Sequence, residues 1–211
     1  MKATIIYDNT TFRKTLQANW GFSALIEAKG KKILFDTGAS GAILLSNMEK
    51  LGINPKEIDE VFISHFHFDH VGGLSDFLDV NDEVTAWIPR SFRGVKNAKE
   101  IVEIENSRKL YEGIYSTGEL EGIEQSLCVE TQKGIVLIVG CSHPRTEHII
   151  NVASGFGNVY GIIGGLHGNR PESLNNVHLI CATHCTQYKR EIMSLYAGKY
   201  IEGGAGKVIE I

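Results

Sequence analysis

Residues 65–70 read His-Phe-His-Phe-Asp-His, directly after the apolar stretch Val61-Phe62-Ile63-Ser64. This order constrains the fold more than any other part of the chain. A short apolar stretch suits a strand buried on both faces. Polar groups crowded just after it belong at a strand end, where open α/β sheets build their sites. In extended chain, residues two apart point the same way. His65 and His67 can therefore present imidazoles to one cation. Asp69 and His70 fall where the chain turns into a new helix, aimed the other way, toward a second. Imidazole with carboxylate suits Zn, and also Fe, Mn or Ni. Gly72-Gly73 follow, as expected where backbone must pass close to its neighbours.

The remaining histidines extend the pattern. Eight occur in the chain, three of them in this run. His143, His167 and His184 each stand just past a β-like apolar stretch, at residues 135–139, 159–163 and 179–182. Donors distant in sequence are thus expected to meet the local run at one sheet edge. His148, on a helix face, and His178, at a strand start, read as structural.

Strands are expected over residues 2–7, 22–28 and 31–35, the last two joined by a hairpin turn at Lys29-Gly30. A helix over 42–51 closes at Gly52. Strands at 61–64 and 84–88 precede a charged stretch, 89–112, read as a loop with one helix. An antiparallel pair covers 123–129 and 135–139. A helix at 146–153, strands at 159–163 and 177–182, and a helix at 187–196 complete the pattern. Gly203-Gly204-Ala205-Gly206-Lys207 lacks the Ser/Thr and helix of a phosphate loop and reads as a turn before a final strand. Strands and helices alternate in both halves, which predicts an α/β protein with four layers, αββα, in a single domain spanning 1–211.

Composition excludes several classes. Apolar residues make up 43% and the net charge is −4, so no nucleic-acid or membrane partner is expected. No stretch approaches the ~18 apolar residues of a membrane span. The stretch Met1 to Tyr7 is too short for a signal peptide and stops at Asp8. Cys128, Cys141, Cys181 and Cys185 match no zinc-finger or CxxC spacing and read as reduced thiols in a cytoplasmic protein. Arg90, Arg93, Lys96 and Lys99 offer charge to an anionic small-molecule substrate. Glu100, Glu103 and Glu105 follow at once, which favours a solvated helix face instead. The sequence leaves the oligomeric state open.

The His65–His70 run resembles the signature of the metallo-β-lactamase superfamily. Asp36-Thr37-Gly38 after a strand resembles its earlier acidic motif, which usually supports the site from behind the ligands. More narrowly, the chain is similar to proteins of the dihydropterin-ribofuranosyl-aminobenzene phosphate synthase branch. The matching pieces are Gly21-Phe22-Ser23, Leu34-Phe35-Asp36-Thr37-Gly38, Ser64-His65 through Gly73-Leu74, Gly140-Cys141-Ser142-His143, Gly164-Gly165-Leu166-His167 and Thr183-His184-Cys185-Thr186. Phe66 and Phe68 stand where that branch reads Gly and Tyr, and the stretch from the run to Gly140 is shorter than in that branch.

The resemblance implies a metallo-β-lactamase-like sandwich and a ligand scheme. His65, His67 and a later histidine would hold one divalent metal, most simply Zn; Asp69, His70 and a last histidine would hold a second. By order His184 is that last histidine, and His143 is a strong ligand candidate. A carboxylate usually bridges the two metals, but no Asp or Glu ends either stretch, 135–139 or 159–163. Cys141, His143 or His167 is left to take that place, and one metal or two would follow. The implied activity is hydrolysis of an ester, phosphoester or related small molecule by a metal-activated hydroxide. Asp69 would hold metal and nucleophile, and His167 would donate to the leaving group or oxyanion. The alternatives are a synthase or transferase acting on a phosphorylated pterin-type substrate, or a non-catalytic metal-binding sensor. Asp36-Thr37-Gly38-Ala39-Ser40 also spells an aspartic-protease motif, but that chemistry needs a second such aspartate and leaves the histidines unexplained.

Overall fold

The computed structural model describes Met1–Ile211. Its first sheet grows from a meander. Strands Lys2–Tyr7 (β1), Ser23–Ala28 (β2) and Lys31–Phe35 (β3) pair antiparallel in sequence order. Lys29 and Gly30 both take positive φ, 52° and 77°, the conformation of a two-residue hairpin turn whose twist matches the strands. Helix α1, Gly41–Leu51, ends on Gly52 at φ 70°, a left-handed glycine cap. The chain then adds Glu60–Phe62 (β4), Thr85–Pro89 (β5) and Glu100–Ile104 (β6), all parallel to β3. Helices Phe68–Val71 (α2) and Leu74–Val80 (α3) lie between β4 and β5.

The second sheet begins with the antiparallel strands Asn106–Tyr111 (β7), Ile114–Gly118 (β8), Leu127–Thr131 (β9) and Gly134–Val139 (β10). Helix Thr146–Ala153 (α4) leads to Val159–Gly165 (β11), then Leu179–Thr183 (β12). β10, β11 and β12 run parallel, so their C-terminal ends share one edge. Helix Lys189–Leu195 (α5) follows, and Val208–Glu210 (β13) returns to pair with β1. The strand orders are β13-β1-β2-β3-β4-β5-β6 and β12-β11-β10-β9-β8-β7.

Period-two side-chain alternation assigns residues to layers. Ala24, Ile26, Ile33 and Phe35 face inward and meet Val136, Ile138 and Ile163 of the second sheet. Leu25 and Leu34 face outward under Leu44 and Met48 of α1 and Phe77 of α3. On the other outer face Ile135, Leu137 and Val139 meet Ile149 of α4 and Ile192 of α5. These three apolar layers make the expected αββα sandwich.

The stretch 89–112 departs from expectation, holding β6 and β7 rather than a helix. Each is the edge of its sheet, and edge strands carry charge that discourages further pairing. That charge hid the period. β8 was unread for a different reason: only Ile114 and Tyr115 in it are large and apolar. The strand expected from residue 123 begins at Leu127 because Glu124 and Gln125 turn inward to bond elsewhere, Gln125 to the Ile63 carbonyl. The glycine-rich segment near the C-terminus is a turn. Its Ala205 bridges Thr11, and β13 follows.

Candidate metal centre

The ends of β3, β4, β10, β11 and β12 supply one cluster of donors. Asp36, Ser142, His167 and His184 follow four of these ends, each at positive φ between 43° and 56°. Non-glycine residues rarely take that conformation, and where they do the strain concentrates at functional sites. Gly72 and Gly73 match their reading: a Cβ on Gly72 would lie 2.5 Å from the Ala39 carbonyl oxygen, and one on Gly73 would strike that of Thr37.

The first trio is His65, His67 and His143. His65 Nε2 lies 3.0 Å from His67 Nδ1, which lies 3.2 Å from His143 Nε2. The protons of His65 can be assigned. Ser64 Oγ donates its hydrogen to Asp36 Oδ2 at 2.7 Å, so at 2.9 Å it accepts from His65 Nδ1. His65 Nε2 therefore turns a lone pair inward. Burial, then the surrounding imidazoles, push His65 well below the ordinary histidine range. Burial, then His67 and His167, lower His143 to about 4. Around neutral pH His65 and His143 are therefore uncharged, the form that binds metal.

The second trio is Asp69, His70 and His184. His70 Nδ1 donates to Asp36 Oδ2 at 2.7 Å, leaving Nε2 free toward the cluster. Burial alone would lower its pKa, but Asp36, with Asp69 and Glu124 behind it, raises it. Behind His184, Asn9 Oδ1 accepts both the Gly21 N–H and His184 Nδ1. The backbone donor fixes the amide orientation, so Nδ1 of His184 is the donor to Asn9 and Nε2 is the nitrogen turned toward the cluster. It lies 3.0 Å from Asp69 Oδ2 with no hydrogen bond, although the imidazole is fully buried. Burial would raise Asp69, but His184 and His70 hold it at about 2, so the carboxylate is ionised. A buried imidazole nitrogen this close to an ionised carboxylate is placed to share a proton or a cation with it.

Cys141 stands at the junction. Its Sγ is 3.2 Å from His70 Nε2. It lies within 4.8 Å of donor atoms on His65 and His70, and also on His184 and Cys185. The Cys185 sulfur and then burial raise its pKa well above the usual thiol range. Gly140 to His143 wraps around the buried Glu124 carboxylate. Oε1 accepts the N–H groups of Gly140, Cys141 and Ser142 at 3.0–3.1 Å, and Oε2 accepts that of His143 at 2.8 Å. Sequence reasoning missed Glu124, as well as Asp8, whose Oδ1 accepts the His184 N–H at 2.8 Å. Neither has a motif; each is marked only by burial with backbone donors converging on it.

His167 is exposed, its ring centroid 5.1 Å from that of His143 and in neither trio. His148 pairs with Glu121 and His178 stacks on Tyr160, both away from the cluster. Arg90, Arg93 and Lys99 pair with Glu105, Glu103 and Glu83 on a loop rather than a helix. Asp36 is fully buried and engaged by Ser64 and His70, which removes the aspartic-protease reading. A cleft of about 460 Å³ beside Phe66 is lined by Val71, Leu74, Phe92 and Lys96. Another of about 460 Å³, lined by Glu147, Asn151 and Asn175, holds no histidine. Converging donors, rather than cavity size, mark this site.

The donors fit a divalent metal. Ligand nitrogens bonded tetrahedrally at about 2.0–2.1 Å sit about 3.3 Å apart, close to the spacings in both trios. Residues 21–109 match the family model of the metallo-beta-lactamase superfamily. A dihydropterin-ribofuranosyl-aminobenzene phosphate synthase of Methanocaldococcus jannaschii is 29% identical over 98% of this chain and 95% of its own length. That alignment runs over 279 positions against 211 residues here, so the relative carries segments this chain lacks. An uncharacterized protein of the same organism is 28% identical over 98% of this chain and 99% of its own. The solved structure of Tm1679, a metal-dependent hydrolase of the beta-lactamase superfamily, shares the fold. Its TM-score is 0.81 at 24% identity, covering 100% of this chain and 99% of that one.

Proposed function

We propose that this chain is a metal-dependent hydrolase of small ester or phosphoester substrates, with Zn as its metal and residues 1–211 acting as one domain. The observation that carries this reading is the fully buried His184 Nε2 set 3.0 Å from the Asp69 carboxylate, where it converges with His70. His65, His67 and His143 would hold one cation; Asp69, His70 and His184 would hold a second. Metal bound there supplies Lewis acidity that makes water a nucleophile near neutral pH and polarises the substrate oxygen. Asp36 and Ser64 engage Nδ1 of His70 and His65, so both rings turn Nε2 toward the cluster. Asp69 stays ionised at working pH and orients the attacking water. Exposed His167, beside His143, donates a proton to the leaving group. The exposed rings of Phe66 and Phe68 flank His67 and offer apolar contact to substrate.

A synthase or transferase reading draws on the methanogen relative, which aligns with nearly the whole chain. The deciding experiment is metal analysis on untagged protein, followed by assays with bis-p-nitrophenyl phosphate, a lactone and a thioester. Metal-dependent turnover of any of these, lost in His67→Ala, is the expected result. Stoichiometric metal with no turnover would move the case to a transferase or a sensor. Full activity in His67→Ala would end the metal mechanism.

A further inference from the structure

We infer that Cys141 is a metal ligand shared between the two trios, its thiolate standing where a bridging carboxylate would otherwise be needed. This rests on the metal reading above. The first observation is position. Cys141 Sγ belongs to a group of donors with His65 of the first trio and His70 of the second, and to another with His184 of the second. Its 3.2 Å separation from His70 Nε2 is short enough for one metal to bond both, at about 2.3 Å to sulfur and 2.0–2.1 Å to nitrogen.

The second observation is elimination among the buried acids around the cluster. Glu124 spends both oxygens on four backbone N–H groups. Asp36 accepts from Ser64 and His70 on the side away from the junction. Asp8 accepts from the His184 backbone and from Thr10. Asp69 already serves the second trio. No carboxylate is left for the shared position. Cys185 is grouped only with Cys141 and His184, so it reaches the second trio alone.

The third observation is rigidity. The Glu124 cradle holds the Cys141 backbone, and the Cys141 side chain is buried. Coordination releases the thiol proton to solvent as the sulfur–metal bond forms, since a coordinating thiol is deprotonated outright. A thiolate selects Zn or Co over hard ions such as Mg or Mn. This chain should discriminate more strongly among metals than an all-nitrogen-and-oxygen site.

The test loads the chelator-stripped full chain with Co(II) and reads bound cobalt together with sulfur-to-cobalt charge-transfer absorption in the near ultraviolet. Wild type should show the band. C141S should lose the band and bind cobalt at the second position at least about 10-fold more weakly, beyond the lower end of outer-shell effects. C185S should keep the band. C141D, which restores a carboxylate, should recover cobalt binding without the band, and its recovery separates ligand loss from misfolding. A wild-type protein that binds cobalt with no band, or a band that survives in C141S, overturns the inference while leaving the metal site standing. Failure of wild type to bind cobalt at all overturns both.

Discussion

The two trios are built alike and situated differently. Each takes two donors from the local run at residues 65–70 and one from a strand end of the opposite sheet, His143 after β10 or His184 after β12. The first trio contains only imidazoles, and His67 is exposed. The second contains an ionised carboxylate, and the side chains of His70 and His184 are fully buried. Opposite charge among the donors strengthens a cation site, and burial screens it less from solvent. The second position should therefore hold its metal more firmly, while the first, open to solvent, should meet the substrate.

The largest break in that comparison comes from removing a ligand. His184→Ala should abolish metal at the second position and lower turnover by more than about 100-fold, the upper range for outer-shell changes. His67→Ala should instead empty the first position and leave the second loaded. Elemental analysis of both variants checks this, and equal loss from both would show one coupled site. Next in size, Asp36→Asn removes the acceptor for His70 Nδ1 and should weaken metal binding about 10–100-fold. Competition with a chelator measures it. The second position should lose more, because Asp36 touches His70 directly but reaches His65 only through Ser64.

A smaller effect should sharpen the contrast from the other side. Glu124→Gln places an amide donor against backbone N–H groups and should cost about 1–3 kcal/mol of stability. Denaturant unfolding reads the loss, and metal titration should show it falling on the first trio through His143 and on Cys141. The smallest effect is pH dependence in chelator-treated protein. His143 is lowered to about 4 from about 6.5 in the unfolded chain, so the unfolded state binds more protons between those values. Stability should fall as pH drops through that window. Asp69, held at about 2, starts from about 3.9 unfolded. Its contribution is full above that value and is lost as pH falls through 2. Unfolding followed from pH 7 to pH 3 should show the histidine contribution lost before that of Asp69.

Much of this arrangement was legible beforehand. The helix at 146–153, the hairpin at Lys29-Gly30 and the strands of the first meander carry strong local patterns, and the structure follows them. Spacing and strand ends singled out His65, His67, Asp69, His70, His143, His167 and His184, and the family resemblance implied all but His167 as ligands; those six fall in the two trios and His167 in neither. β6 and β7 were not legible, because edge strands mix charge with apolar residues and blur the period. Glu124 and Asp8 were not legible either. A carboxylate that accepts backbone N–H groups leaves no mark in composition or spacing; its role depends on burial and on where a distant loop folds.

What the sequence alone determined is the pool of candidate donors and the layered α/β order. Those follow from side-chain chemistry and from alternation, which are local properties. What only the tertiary structure decided is how the donors are arranged: that His167 stays outside both trios, where Cys141 comes to rest, and which buried acids stand behind them. These depend on the register of two sheets packed face to face. Contacts such as His67 with His143, 76 residues apart, exist only after the sandwich closes.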